Sequence, residues 1–206
     1  GADSVHWCVI FMATITYGAV IVPILQDFNV EDAKTIINHS EAKFLFIDDL
    51  ILAQLNPDED LPMVQTIFDI KKITWRYARS GMPYDYKRLL PFAPFVARFY
   101  PKGFRRTDIV YPEVGNDELV VINYTSGTTG FSKGVLITAG NLAGNALYAK
   151  QLNLMFSGEQ IICFLPLAHT YSCAFNMLAA LYIGVHTHIL GKVPSPKILM
   201  KAFAEI

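Results

Sequence analysis

Cysteine is scarce in this chain. Cys8, Cys163 and Cys173 are the three present among 206 residues, too few and too scattered for a disulfide framework, so a reduced, cytoplasmic setting is the simpler reading. Charge of one sign is lacking too: the formal net charge is −1, which by itself points to no polyanionic partner. No basic leader precedes an apolar run at the Gly1-Ala2-Asp3 start, and no signal peptide is expected. The last residues, Ala204-Glu205-Ile206, fall inside an apolar pattern that begins at Ile198, so the expectation is a piece of a longer protein. No internal repeat is visible. A membrane-length apolar run is almost present: Trp7 to Leu25 carries no ionised side chain, close to the ~20 residues that cross a bilayer. Thr14, Thr16, Tyr17, Gly18 and Pro23 interrupt it and no Lys or Arg flanks it. A buried helix to about Tyr17, a stop at Gly18 and a buried strand over Ala19–Pro23 fit better.

What is abundant is core. Hydrophobic residues make up 52% of the chain and mean hydropathy is +0.32, ample for one domain or a domain and a fraction. Strand-like and helix-like segments alternate. Val30–His39 has helical spacing behind the candidate cap Asn29; Lys43–Asp48 and Met63–Phe68 read as strands, with a helical turn over Ile51–Leu55 between them. Past a linker at Pro112–Asn116 come strands at Glu118–Tyr124, Gly134–Ile137, Gln160–Leu165 and Val185–Leu190. Helices are expected over Ala139–Leu152 and Tyr171–Ile183, with another starting near Pro194. The expected class is α/β, with mostly parallel sheets flanked by helices.

Residues 71–106 break that pattern. They hold ten of the 17 basic residues against one acid, Asp85, a local charge of +9, with nine aromatics interleaved. One reading is a surface for anionic membranes or nucleic acid; the other is an irregular insert whose aromatics pack locally while Lys and Arg face water. No recognised nucleic-acid module surrounds it, and nucleic acid is not among the expected partners.

Residues 124–135 read YTSGTTGFSKGV, placing three of the chain's 13 glycines among five Ser and Thr side chains next to a lysine. Glycine lets backbone N–H groups approach a phosphate closely, hydroxyls add donors without bulk, and a lysine offsets charge. The loop is not a Walker A motif, which wants Gly at Ser132 and Ser or Thr at Gly134, nor a Rossmann fingerprint, which wants Gly at Thr125. It also joins two strands, whereas both of those motifs lead into a helix. A flexible hydroxyl-rich hairpin is the plain alternative. Other candidates are thinner: His186 and His188 share a strand face without acid or cysteine partners at ligand spacing, Cys163, His169 and Cys173 fit no standard metal spacing, and no Gly-x-Ser-x-Gly elbow occurs. No metal ligand set is expected.

YTSGTTGFSKGV resembles the phosphate-binding signature of the adenylate-forming (AMP-binding) enzymes, a superfamily of acyl-CoA synthetases, luciferases and nonribosomal-peptide adenylation domains; Ser132 stands where that pattern usually has Pro. FLPLAHT (Phe164–Thr170) is similar to the family's next motif, and the stretches Gly18–Pro23 and Ser40–Lys43 resemble its N-terminal landmarks. The likeness runs from about residue 7 to the end and implies part of an N-terminal AMP-binding domain, with the C-terminal domain absent. It implies that Thr125, Ser126, Gly127, Thr128, Thr129, Gly130 and Lys133 contact the phosphates of ATP, and that His169, with Tyr171 beside it, walls the acyl or adenylate pocket. The chemistry implied is carboxylate attack on the α-phosphate, then transfer of the acyl group to a thiol. ATP, Mg²⁺ and coenzyme A would serve the whole enzyme, most like bacterial long-chain fatty acyl-CoA synthetases. No carboxylate here matches the family's metal-binding acid, and no catalytic residue is assigned. A fatty acid is the expected substrate, and contact with the inner membrane face would suit it. An aryl- or amino-acid-activating enzyme and a non-catalytic nucleotide-binding module are the alternatives.

Overall fold

The computed structural model describes residues 3–80, 105–125, 133–191 and 194–206. They fall into two units, one formed by Gly1–Phe28 with Glu113–Ile206, the other by Asn29–Pro112.

In the first unit, helix α1 (Val5–Thr16) begins where the Ser4 side chain accepts the Trp7 N–H at 3.2 Å. Trp7 and Phe11, one turn apart, form its buried stripe and stack at 5.3 Å. The helix stops as expected: Gly18 takes φ 81°, its N–H reaches Ile15 O, and the next N–H, of Ala19, reaches Thr14 O, the paired bonds of a glycine-terminated helix end. The strand expected at Ala19–Pro23 shrinks to a single parallel bridge between Ile21 and Val121. Pro23 has no N–H to extend the ladder. Among the described residues no helix is long and apolar enough to cross a membrane.

The second unit carries α2 (Val30–His39), capped by the Asn29 side chain on the Asp32 N–H at 2.8 Å. Strands β1 (Phe44–Ile47) and β2 (Thr66–Asp69) pair in parallel, joined through the short helices α3 (Asp49–Leu52) and α4 (Pro57–Asp60). β3 (Thr74–Ala78) then pairs antiparallel with β2. That corrects the expectation of an irregular insert over its first ten residues; residues 81–104 lie outside the described residues. Arg76, Arg79 and Lys71 of this stretch are bonded within the unit. Arg76 makes a two-pronged bond to Asp49 at 2.7 and 2.9 Å and reaches Asp69 at 3.3 Å. Arg79 donates to the carbonyls of Val64, Pro57 and Leu61, and Lys71 pairs with Asp48. Guanidinium geometry suits such forked bonds.

Back in the first unit, β4 (Leu119–Thr125) and β5 (Lys133–Thr138) form an antiparallel hairpin, followed by α5 (Ala139–Gln151). Thr138 and Asn141 close a reciprocal cap at its start. β6 (Gln160–Cys163) and β7 (His186–Ile189) pair in parallel. Between them runs α6, π-wound over Ser172–Ala179 and α-wound over Ala180–Ile183; α7 (Pro196–Glu205) ends the chain. The sheets are therefore mixed rather than mostly parallel. Seven residues join β4 to β5, and a parallel crossover needs about a dozen or more. Ala146 and Ala149 of α5 meet Ala179 of α6 with Phe175 and Ile183 packed round them; small residues at the crossing let the two helices approach closely.

Candidate active site

The two ends of the signature loop sit side by side. Thr125 closes β4, Lys133 opens β5, and they are register partners across the hairpin, both exposed. Ser126, Gly127, Thr128, Thr129 and Gly130 lie outside the described residues. One pair further from the loop, Tyr124 faces Gly134. The Tyr124 side chain is buried, and burial pushes its phenol above the ordinary value of 10.0, so it stays protonated. Gly134 leaves room chiefly for Ile122: a Cβ there would lie 3.1 Å from Ile122 Cγ2, and in ordinary contact at 3.4 Å from Tyr124 Cζ.

His169 and Tyr171 are exposed, at the turn that leads from β6 into α6. The His169 N–H donates to Pro166 O at 3.0 Å, closing the turn, and its carbonyl accepts the Cys173 N–H at 3.0 Å, opening the helix. Its Nδ1 accepts the Tyr171 N–H at 3.2 Å, which places the ring proton of a neutral imidazole on Nε2. The Tyr171 ring leans on Phe175 at 5.0 Å. Leu167 and Ala168, just before His169, are buried. Leu167 N–H donates to Asp3 Oδ1 at 2.9 Å; burial raises the Asp3 pKa while that bond opposes the shift.

The link between loop and turn is a residue that sequence reasoning passed over. Asn123, two positions before Thr125, is 7% exposed, and its Nδ2 donates to Ala168 O at 3.0 Å across 45 residues. Asn123 also lines a pocket of about 50 Å³ with Phe11, Val121, Ile137, Ala168 and Thr170. The available signal was a single polar residue inside Leu-Val-Val-Ile-Asn-Tyr, where a strand buried on both faces ordinarily stays apolar. The π-winding of α6 was missed as well. It goes with a knot of side chains: Ser172 Oγ donates to Leu165 O at 3.0 Å, Asn176 Nδ2 to Ser172 Oγ at 3.3 Å, and Thr187 Oγ1 of β7 to Asn176 O at 3.1 Å. A side chain inserted at a helix carbonyl is a usual cause of irregular winding.

Two of the weaker candidates lie on β7. His186 and His188 stack at 4.4 Å, with His188 Nε2 2.8 Å from Gln160 Oε1. Burial pushes the Cys173 thiol up to about 12, making it an inert core group. Among the described residues no group of three or more His, Cys, Asp or Glu is placed to hold a metal ion.

Comparison with known proteins bears on the whole chain. The AMP-binding enzyme family matches residues 1–206. Among curated relatives, peroxisomal long chain acyl-CoA synthetase 6 of Arabidopsis thaliana is 29% identical over 186 residues, which is 87% of this chain and 25% of that protein. The chain thus spans about a quarter of that relative's length. ATP-bound MatB from Rhodopseudomonas palustris superposes with a TM-score of 0.71 at 22% identity, over 98% of this chain and 36% of its own. MenE, the O-succinylbenzoate coenzyme A synthetase of Bacillus subtilis, in complex with ATP and magnesium ion, gives 0.68 at 17% identity over 99% and 46%. At these identities the structures speak to the fold alone.

Proposed function

The chain belongs to the AMP-binding enzyme family, and from that premise we propose that the whole protein is an ATP-dependent acid–thiol ligase acting on a long-chain fatty acid. The observation that carries this reading is the placing of the signature: Thr125 and Lys133 meet at the mouth of one hairpin, and Asn123 ties that hairpin to the His169 turn. In this reading Thr125, Ser126, Gly127, Thr128, Thr129 and Gly130 cradle the ATP phosphates with backbone N–H and hydroxyl donors. The exposed Lys133 ammonium offsets charge on the β- and γ-phosphates as pyrophosphate leaves. A substrate carboxylate oxygen bonds to the α-phosphorus and the bond to the β-phosphate bridge breaks, giving acyl-adenylate and pyrophosphate. The carboxylate is already ionised, so His169 is given no proton to take; with Tyr171 it forms a wall of the acyl or adenylate pocket. Magnesium would supply positive charge to the phosphates, and among the described residues no ligand set is placed to hold it. A thiolate of coenzyme A then displaces AMP from the acyl carbon. The long-chain assignment leans on the likeness to long chain acyl-CoA synthetase 6, and a cytoplasmic enzyme meeting the inner membrane face accords with a lipid substrate.

The second reading is an aryl-acid-activating enzyme, the kind of acid named in MenE, the O-succinylbenzoate coenzyme A synthetase that shares the fold. Carboxylate-dependent ATP–pyrophosphate exchange on the full-length protein separates them, run with short, medium, long and aromatic acids. Exchange is expected to peak with long-chain acids. Lys133→Ala is expected to weaken ATP binding about tenfold, the scale of one charge-assisted contact. Exchange with aromatic acids alone would select the second reading. ATP binding without exchange from any acid would leave a nucleotide-binding module, and flotation with anionic vesicles tests the membrane contact.

A further inference from the structure

Asn123 is an anomaly on its strand. It shares a face of β4 with the buried Val121 and looks into a pocket whose lining includes Phe11, Ile137 and Ala174 as well as Asn145 and Thr170. Burying an amide is unfavourable unless its hydrogen bonds are met, and Leu would take a similar branched shape without that penalty. The bond it makes is to Ala168 O, the carbonyl immediately before His169. The same turn is held on its other side by Asp3, which accepts the Leu167 N–H. Two consecutive residues ahead of His169 are therefore gripped from two different elements, one by its carbonyl and one by its N–H. The exposed His169 ring accepts the Tyr171 N–H at Nδ1, at 3.2 Å, which favours one orientation of the ring.

We propose that Asn123 is a positioning residue, which sets the place of His169 relative to the Thr125–Lys133 hairpin and so couples the acid side of the site to the phosphate side. The proposal rests on the ligase reading for its kinetic consequence but not for its structural one. Asn123 touches no reacting atom; it acts through Ala168 on His169.

The test is made on the full-length protein with Asn123→Leu, which keeps volume and removes the donor. Asn123→Ala removes the donor without adding bulk or charge, and it serves if the leucine variant does not fold. Either is expected to raise KM for the acid about ten- to a hundredfold, the scale of an unpaired buried carbonyl, with KM for ATP within about twofold. In a His169→Ala background the same substitution is expected to add almost nothing, because its effect runs through the missing ring. Amide exchange across residues 166–171 is expected to quicken while β4 and β5 stay protected, and this readout needs no catalysis. An unchanged acid KM, an equal loss in the His169→Ala background, or unaltered exchange at 166–171 would each overturn the coupling. Absence of pyrophosphate exchange in the unaltered protein, with the amide-exchange effect intact, would instead remove the ligase reading and leave the positioning role.

Discussion

Gly134→Val is the perturbation whose size the structure sets most directly. Gly134 stands in β5 opposite Tyr124, with no positive φ to explain the choice of glycine. Its reason is space. The first carbon added would meet Ile122 Cγ2 at 3.1 Å and the Tyr124 ring at 3.4 and 3.5 Å, where carbon atoms rest at about 3.5–4.0 Å. Alanine needs Ile122 to give by a few tenths of an ångström, while replacing a strand glycine restores about 0.5–1 kcal/mol. The two effects are similar, so Gly134→Ala is expected to change stability by less than about 1 kcal/mol. Valine adds two methyl groups beside Ile122 and the buried Tyr124 ring, and overpacking of that kind destabilises by about 1–3 kcal/mol. Relief comes most readily by moving Tyr124, and with it Thr125 and its partner Lys133. ATP affinity is therefore expected to fall about tenfold in the valine variant and stay near normal in the alanine variant, a ratio of the size one misplaced contact gives. Urea unfolding supplies the stability difference and calorimetric titration with ATP the affinity. A valine variant as stable as the parent, binding ATP as well, would refute the claim that Gly134 is there to leave room for Ile122 and Tyr124.

Two further expectations concern the unit Asn29–Pro112. Glu41 is exposed at φ 52° directly after α2, and its N–H and that of Ala42 close the helix end onto Asn38 O and Ile37 O. A left-handed residue with a Cβ carries about 1–2 kcal/mol of strain, so Glu41→Gly is expected to stabilise the unit by up to about 1 kcal/mol after the extra chain entropy of glycine is subtracted; denaturant unfolding that shows destabilisation would contradict it. The second concerns acid. Bonds to Lys71, Arg76 and Lys34 hold the carboxyls of Asp48, Asp49 and Asp60 below their ordinary 3.8. Depressed acids contribute stability above that value and lose it as pH falls through the folded pKa, so this unit is expected to loosen below pH 3.8, and earlier in high salt, which screens exposed pairs. Trp75 in β3 reports it by fluorescence in a Trp7→Phe background, and a signal indifferent to salt throughout the acid range would count against the ion pairs.

Local signals were read most faithfully where the chain needs only its near neighbours. Asn29 capping α2, Gly18 ending α1 and the strands β1, β6 and β7 all depend on residues within a few positions. The antiparallel pairing of β4 with β5 ran against the expectation of mostly parallel sheets, although seven intervening residues cannot make a crossover. Basic residues 71–79 misled because charge density says nothing about partners: Arg76 finds Asp49 across 27 positions and Arg79 finds Pro57 across 22.

By itself the amino-acid sequence determined the α/β alternation, the Asn29 cap, and the hydroxyl-rich glycine signature with the His169 motif after it, because propensity, turn chemistry and a contiguous motif are properties of short stretches. The tertiary structure decided which of these meet. Only the folded chain brings Asn123 to Ala168 and Asp3 to Leu167 across 45 and 164 positions, and only there does Thr187 reach the Asn176 carbonyl in π-wound α6. Such bonds join groups whose need for a partner arises on burial, so no local pattern announces them.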